Sequence, residues 1–199
     1  MCTASALLPP VGKGRRYERK ALQIRRFAGV KIDEPLDPYL LARHARLHVV
    51  SLDDIRGLSS EVRTQLLESD PEGWSGGASR PLPDGSRLIV LNPTHGRQRQ
   101  AATLMEEVCH VFLGHNLNRL GLPVSGSEGS SSRDYNQVEE EEAYAVGAAV
   151  LLPYYVLRMA IEARLPIEEL ARRYGVSRRL VEYRLRISGL WFAKSNSGE

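Results

Sequence analysis

Thr103-Leu-Met-Glu-Glu-Val-Cys-His-Val-Phe-Leu-Gly-His115 is the stretch on which the reading of this chain turns. At about 100° per residue, Ala101, Leu104, Val108, Val111 and Phe112 fall on one face of a helix, and Glu106, Glu107 and His110 on the opposite face. The pattern predicts a helix from about Gln98 to Gly114, with one face packed on a core and the other presenting polar groups to a cleft. Glu106 and His110, four residues apart, point the same way and suit two ligands of one metal ion. Glu107 is rotated by about 100° from Glu106, where it can take a proton from water held at such an ion. A bland alternative is an i,i+4 pair on a solvated helix face, and a lone Glu-x-x-x-His is more often that.

Outward from this helix, Gln137 to Leu152 reads as a second helix, amphipathic and then apolar, stopped before Pro153. It opens with Glu139, Glu140, Glu141 and Glu142. Acidic residues in a first turn suit the helix dipole whatever their function. On the amino-terminal side, Ala21, Leu22, Ile24 and Phe27 mark a helix from Tyr17 to Ala28. Asp37-Pro38 is a helix start, an N-cap followed by proline at the first helical position, and that helix runs to about Arg46. Leu47 to Val50 reads as a strand and Ser51 to Ser69 as holding a short helix. Trp74 to Ser79 and Arg87 to Leu91 are strand candidates around a Pro83-Asp84-Gly85 turn. Near the carboxyl end, Pro166 to Leu185 is a helix, a Gly175-Val176 turn and a second helix capped by Ser177, which is the helix-turn-helix pattern.

Residues 1–16 read as a flexible basic tail, 17–160 as the main domain with a Ser/Gly-rich loop at 122–134, and 161–192 as the helix-turn-helix-like segment. With 199 residues, 42% hydrophobic and 26% charged, the chain fits one globular domain with a small appendage. No apolar run approaches membrane-spanning length, and the start is a poor signal peptide. Cys2 and Cys109 alone exclude a disulfide framework and fit a reducing cytoplasm, the expected location. Cys109 reads as a small buried residue, not a nucleophile. The net charge of +3 is mild, and the basic run from Lys13 to Arg26 reads as solvated surface.

Three stretches together resemble the ImmA/IrrE family of metallo-endopeptidases. Thr103 to His115 parallels the family's T-L-x-H-E-x-x-H-x-x-L-x-H. Glu140-Glu-Glu-Ala-Tyr-Ala-Val-Gly-Ala-Ala-Val-Leu-Leu-Pro153 is similar to E-x-x-A-N-x-F-A-A-x-L-L-M-P, and Ile167 to Leu185 to the family's L-A-x-x-F-x-V-S-x-x-x-V-x-x-R-L tail. The resemblance implies an α+β fold with a gluzincin-like metallopeptidase core: a short twisted antiparallel sheet with helices, the motif helix under the sheet, and the helix-turn-helix-like helices at the carboxyl end. It implies one divalent metal, zinc first and manganese or iron as alternatives, held by Glu106, His110 and Glu140, with Glu107 as general base. A shift of the alignment would bring Glu139 or Glu141 to the ligand position. The implied function is that of a hydrolase that cleaves or inactivates a helix-turn-helix transcriptional repressor, its protein substrate, with no membrane partner.

Two positions depart from the family pattern: Glu106 replaces its first histidine, and Tyr144 replaces its asparagine. A carboxylate ligates zinc at a similar distance, but two carboxylates with one imidazole neutralise a divalent ion and acidify water beside it less. Glu106 is therefore the best argument for a second reading, a catalytically inactive relative that binds its partner through the same cleft. His95, just before the motif helix, is a candidate substitute ligand or substrate contact, whereas His115, five residues after His110, reads as a capping or packing residue. The strand near Leu88 to Leu91 is a candidate to hold an extended substrate by strand addition. A third reading is direct DNA binding, with Ser177, Arg178 and Arg179 at the start of a recognition helix. Leu170, Ala171, Val176, Val181 and Leu185 form a packing face on the same segment, which makes DNA binding the lesser reading.

Overall fold

The computed structural model describes residues 7–55, 57–115 and 137–191. The Ser/Gly-rich loop expected at 122–134 lies outside them, as do residues 1–6 of the expected tail. Among the described residues the fold is α+β, with eight α-helices and a three-stranded sheet. The helices are α1 (Lys13–Phe27), α2 (Pro38–His44), α3 (Ser60–Thr64), α4 (Arg97–Leu113), α5 (Gln137–Leu151), α6 (Tyr154–Glu162), α7 (Ile167–Tyr174) and α8 (Arg178–Ile187). The strands are β1 (Leu47–Val50), β2 (Gly76–Ala78) and β3 (Arg87–Leu91).

Local chemistry sets most boundaries. The Asp37 carboxylate accepts from the Tyr39 N–H at 2.9 Å, with Pro38 in the first turn of α2. Gly114, at φ 70°, takes the left-handed conformation that ends α4. Ser177 Oγ accepts from the Leu180 N–H at 3.2 Å and starts α8, after Gly175 has ended α7 in the same left-handed way.

The sheet has the order β1-β3-β2. β2 pairs with β3 antiparallel, Gly76 opposite Leu91 and Ala78 opposite Ile89, as the hairpin reading expects. β1 pairs with β3 in parallel, Leu47 opposite Arg87 and Val50 opposite Val90, so the sheet is mixed and not wholly antiparallel. The reason is that the chain leaves β1 through a 3-10 turn, α3 and one π-helical turn before it reaches the hairpin, and so approaches β3 from the same end. β3 is therefore central and flanked on both sides, which removes Leu88–Leu91 as a strand-addition site; β2 and β1 are the edges. A central strand explains the unbroken apolar run, with Ile89, Val90 and Leu91 all buried.

The sheet lies on α4, and α4 packs against α5 on its other side. Consequently α4 is buried more widely than one apolar face predicts: Met105 and Cys109 are as buried as Leu104 and Val108. α1 crosses α5. It begins at Lys13, so Lys13 to Arg16 form its first turn instead of belonging to a basic tail. Pro153, read as the end of a helix, also caps a new one, and α5 and α6 meet at a bend of 51°. The packing face expected for the last helix pair is present, with Leu170, Ala171, Val176, Val181 and Leu185 all in the core.

Among the described residues, Glu18, Arg25 and Arg184 are charged side chains enclosed in the core. Glu18 of α1 and Arg184 of α8 pair at 2.6 Å with side chains 0% and 1% exposed. Glu18 also accepts from the Tyr154 N–H at 2.7 Å, and Arg184 Nε donates to the Leu152 carbonyl at 2.9 Å. Removing one partner strands the other charge in the core. Glu18→Ala and Arg184→Ala are each expected to destabilise the protein by about 3–5 kcal/mol. The double variant is expected to cost less than the two single losses combined, read from urea unfolding. Additive losses in the double variant would contradict a direct coupling.

Candidate metal centre

The site is built where α4 and α5 come close. A Cβ on Gly147 would lie 3.3 Å from Met105 Cγ and 3.4 Å from the Met105 carbonyl oxygen, so the helices approach at a spacing that favours glycine. Ala143, Ala145, Ala148 and Ala149 keep the rest of α5 slim and are all buried. The first turn of α5 is thereby brought opposite the middle of α4. Glu106, His110 and Glu140 each offer a ligand atom there, all within 4.8 Å of one another, and His110 Nε2 lies 3.6 Å from Glu140 Oε1.

This donor set fits a divalent ion. Ligands at about 2.1 Å in tetrahedral array stand roughly 3.4 Å apart, and carboxylate rotation covers the difference. The electrostatics agree with the fit. Burial, then the charges of Glu140 and Glu107, push the Glu106 carboxyl up to about 8. Burial and Glu140 push Glu107 up to about 7. Burial, then His115, lowers His110 to about 4, so this imidazole is neutral at ordinary pH and offers a lone pair. Glu140 is raised by burial, against the pull of His115. Neither Glu106 nor Glu107 has an ion pair with a lysine or arginine among the described residues. A divalent cation would supply the positive charge that this cluster lacks.

His115 is the residue that the sequence pattern misplaced. After Gly114 turns the chain, the His115 N–H donates to the His110 carbonyl at 3.0 Å and its ring folds back onto the site. His115 Nδ1 lies 3.2 Å from His110 Nδ1, and His115 Nε2 lies 3.2 Å from Glu142 Oε2. Burial works to raise Glu142, but Lys20 at 2.8 Å, His115 and Arg16 at 3.3 Å hold it below the usual carboxylate range. An ionised Glu142 accepts from His115 Nε2–H. With His115 neutral, its Nδ1 accepts from His110 Nδ1–H and leaves His110 Nε2 unprotonated and facing Glu140; with His115 charged, its Nδ1–H donates to His110 Nδ1 instead.

The other expected residues separate. His95 is 6% exposed at the turn before α4, with Nε2 3.4 Å from Asn92 Nδ2 and 3.7 Å from Glu72 Oε2. Nine residues of helix, about 14 Å of rise, separate the start of α4 from Glu106, so His95 is not part of the cluster. Glu141 faces α1, accepting from the Tyr17 hydroxyl and Lys13 Nζ, both at 3.3 Å. Tyr144 does border the site: burial and Glu106 raise its phenol, and its ring stacks edge-on against Tyr183 at 4.9 Å. Cys109 is fully buried, and burial pushes its thiol up, away from nucleophilic use. Glu106 and Tyr144 line a groove of about 1220 Å3, and Ser177 and Arg179 line the same groove from α8. Arg178 does not; it pairs with Glu168 and Glu182, each at 2.8 Å.

Comparison with solved structures gives a Mycobacterium tuberculosis transcriptional regulator at TM-score 0.52 and 18% identity, covering 86% of this chain and 47% of that chain. The likeness is one of fold, and this chain spans about half the length of that protein. Comparison with curated proteins gives no match. The IrrE N-terminal-like domain family matches residues 64–186, which takes in α4, α5 and nearly all of the helix-turn-helix pair. On that match the chain belongs to the M78 peptidase family, the IrrE N-terminal-like proteins.

Proposed function

We propose that this protein is a metal-dependent endopeptidase that cleaves a transcriptional regulator in the cytoplasm, its site of the gluzincin-like kind with Glu106 in place of a histidine. One observation carries the reading: Glu106, His110 and Glu140 offer ligand atoms within 4.8 Å of one another, and Glu106 also lines a groove large enough for a peptide. Family membership and the resemblance to repressor-cleaving relatives support the choice of substrate.

Glu106, His110 and Glu140 would hold the ion, zinc first, with manganese or iron as alternatives that the second carboxylate also suits. When bound, the metal polarises the scissile carbonyl and lowers the pKa of water. Glu107 would take the proton from the attacking water and return it to the leaving amine, and burial raises its carboxyl in the direction that suits a base. His115 and Glu142 hold the His110 ring so that Nε2 faces the ion. Tyr144 borders the substrate side.

A second reading rests on Glu106 itself. If this carboxyl only accompanies His110 on a metal-free face, the protein is a binding module that captures a regulator through the same groove.

Zinc titration decides between the two. The native chain is expected to take up one equivalent, His110→Ala to take up none with its helix content intact, and His115→Ala to bind about 10–100-fold more weakly. Glu106→His is expected to bind zinc more tightly than the native chain. Negligible uptake by both the native chain and Glu106→His would leave the binding module standing. Glu107→Gln is expected to keep the metal and lose turnover of a cleaved regulator by about 10²-fold or more; activity within a factor of about two of native would remove Glu107 from the role of base.

The metal-free protein carries a further signature. Glu106 and Glu107 have folded pKa values above their unfolded ones, so the stability they contribute is complete below about pH 4.5 and is lost as pH rises through 7 and 8. Above about pH 6.5 His110 is neutral in both states and does not oppose this trend. In chelator, unfolding free energy is therefore expected to fall between about pH 6.5 and 8.5 by roughly 1.4 kcal/mol per pH unit for each group still protonated. Glu106→Gln should flatten the slope, and a flat native profile would contradict the burial of these carboxyls.

A further inference from the structure

We propose that the helix-turn-helix pair forms a wall of the substrate groove and that this groove takes an acidic stretch of polypeptide. The inference rests on the endopeptidase reading and names the substrate class for it. Arg97 and Arg99, from the first turn of α4, and Arg179 and Arg186, from α8, line the groove that ends at Glu106. All four are exposed. Arg99 is partly neutralised by Glu72 at 2.5 Å. Arg186 lies over the Trp191 ring at 5.6 Å, a contact that leaves its charge in place. Arg97 and Arg179 form no ion pair among the described residues. The groove therefore carries four cations against one acidic residue, and that residue is a proposed metal ligand.

Shape narrows the occupant further. About 1220 Å3 exceeds the usual range for one small ligand, roughly 300–1,000 Å3, and suits several residues of an extended chain. Tyr144 and Tyr183, edge to face at 4.9 Å, add an aromatic surface to the same groove. A recognition helix reads DNA by entering the major groove with its amino-terminal end. Here that end faces α4 across the chain's own groove, Ser177 Oγ is occupied by the Leu180 N–H, and Arg178 is held by Glu168 and Glu182. That end thus offers a duplex little beyond Arg179, whereas an extended peptide with aspartates or glutamates can lie along all four arginines and present a bond at the metal centre. Complementary charge of this kind steers encounter and selects partners.

The test is fluorescence anisotropy with the full chain, zinc present, and three rhodamine-labelled probes: a peptide with a run of glutamates, its lysine counterpart of equal length, and a DNA duplex. The acidic peptide is expected to bind, in a salt-sensitive manner, and the lysine peptide not to bind. The variant carrying both Arg97→Glu and Arg179→Glu should weaken acidic-peptide binding by about tenfold or more. Arg173→Glu, an exposed change outside the groove, should not, and circular dichroism confirms that each variant is folded. Equal binding of the two peptides, or binding indifferent to Arg97 and Arg179, overturns the proposal. Tighter binding of the duplex, lost with Arg179→Glu, overturns it in favour of nucleic acid. Binding is read without cleavage: an acidic peptide held in the groove but never hydrolysed sustains this inference while the endopeptidase reading fails.

Discussion

The break between α5 and α6 is the point on which the arrangement of the site depends. Pro153 has no N–H to continue the helical ladder, and the chain bends there by 51° inside the core. Backbone groups around such a break need partners, because unpaired buried polar groups are costly. They find them in charged side chains from other elements: Glu18 accepts from the Tyr154 N–H, Arg184 donates to the Leu152 carbonyl, and Arg25 Nη1 donates to the Val150 carbonyl at 2.7 Å. Glu18 and Arg184 then close on each other at 2.6 Å. One polar knot thus fastens α1, the α5–α6 corner and α8 together. The Glu106-His110-Glu140 cluster joins α4 to the start of α5, and α8 lines the groove, so their relative placement runs through this knot.

α1 has a second connection to the chemistry. Two turns before Arg25, on the side facing the start of α5, Lys20 and Arg16 bind Glu142, which holds His115, which in turn holds His110. Four side chains from three segments fix the orientation of one imidazole ring. The chain of contacts also explains why α5 opens with so many acidic residues. Glu141 and Glu142 attach it to the basic face of α1, while Glu140 turns to the cluster on α4. The helix dipole is favoured by the same residues.

The central helix, its polar face and the acidic helix were legible because hydrophobic periodicity and i,i+4 spacing survive in any packed helix. The helix-turn-helix segment was legible from Gly175 and Ser177, whose local roles do not depend on context. What stayed hidden shares one cause, which is that a charged or polar residue reads as solvent-facing until its partner is known. Glu18 and Arg25 sit in a run of basic and acidic residues that looks like surface, yet Glu18 bonds Tyr154 and Arg25 bonds Val150, each more than 120 residues away. His115 escaped for another reason. Counting positions around a helix stops at Leu113, and the left-handed Gly114 brings a residue at spacing five back onto the ligand face. α6 was missed because Pro153 signals a stop as strongly as it signals a start. The parallel pairing of β1 was invisible because pairing partners are set by the path between strands.

In the proposed metal-bound centre, Glu106 in place of the family's histidine would change the balance of work. Two carboxylates and one imidazole cancel the charge of a divalent ion, so water beside it is acidified less than where two imidazoles leave net positive charge. Part of the burden of removing a proton then passes to the base. In the proposed mechanism Glu107 carries that burden, and its burial makes it a stronger base than an exposed glutamate. The same burial that makes Glu106 reluctant to ionise alone makes a cation the natural counter-charge for it. Substitution of one ligand type for another is therefore compatible with the same reaction, provided that the hydrophobic packing of α4 against α5 keeps both carboxyls out of water.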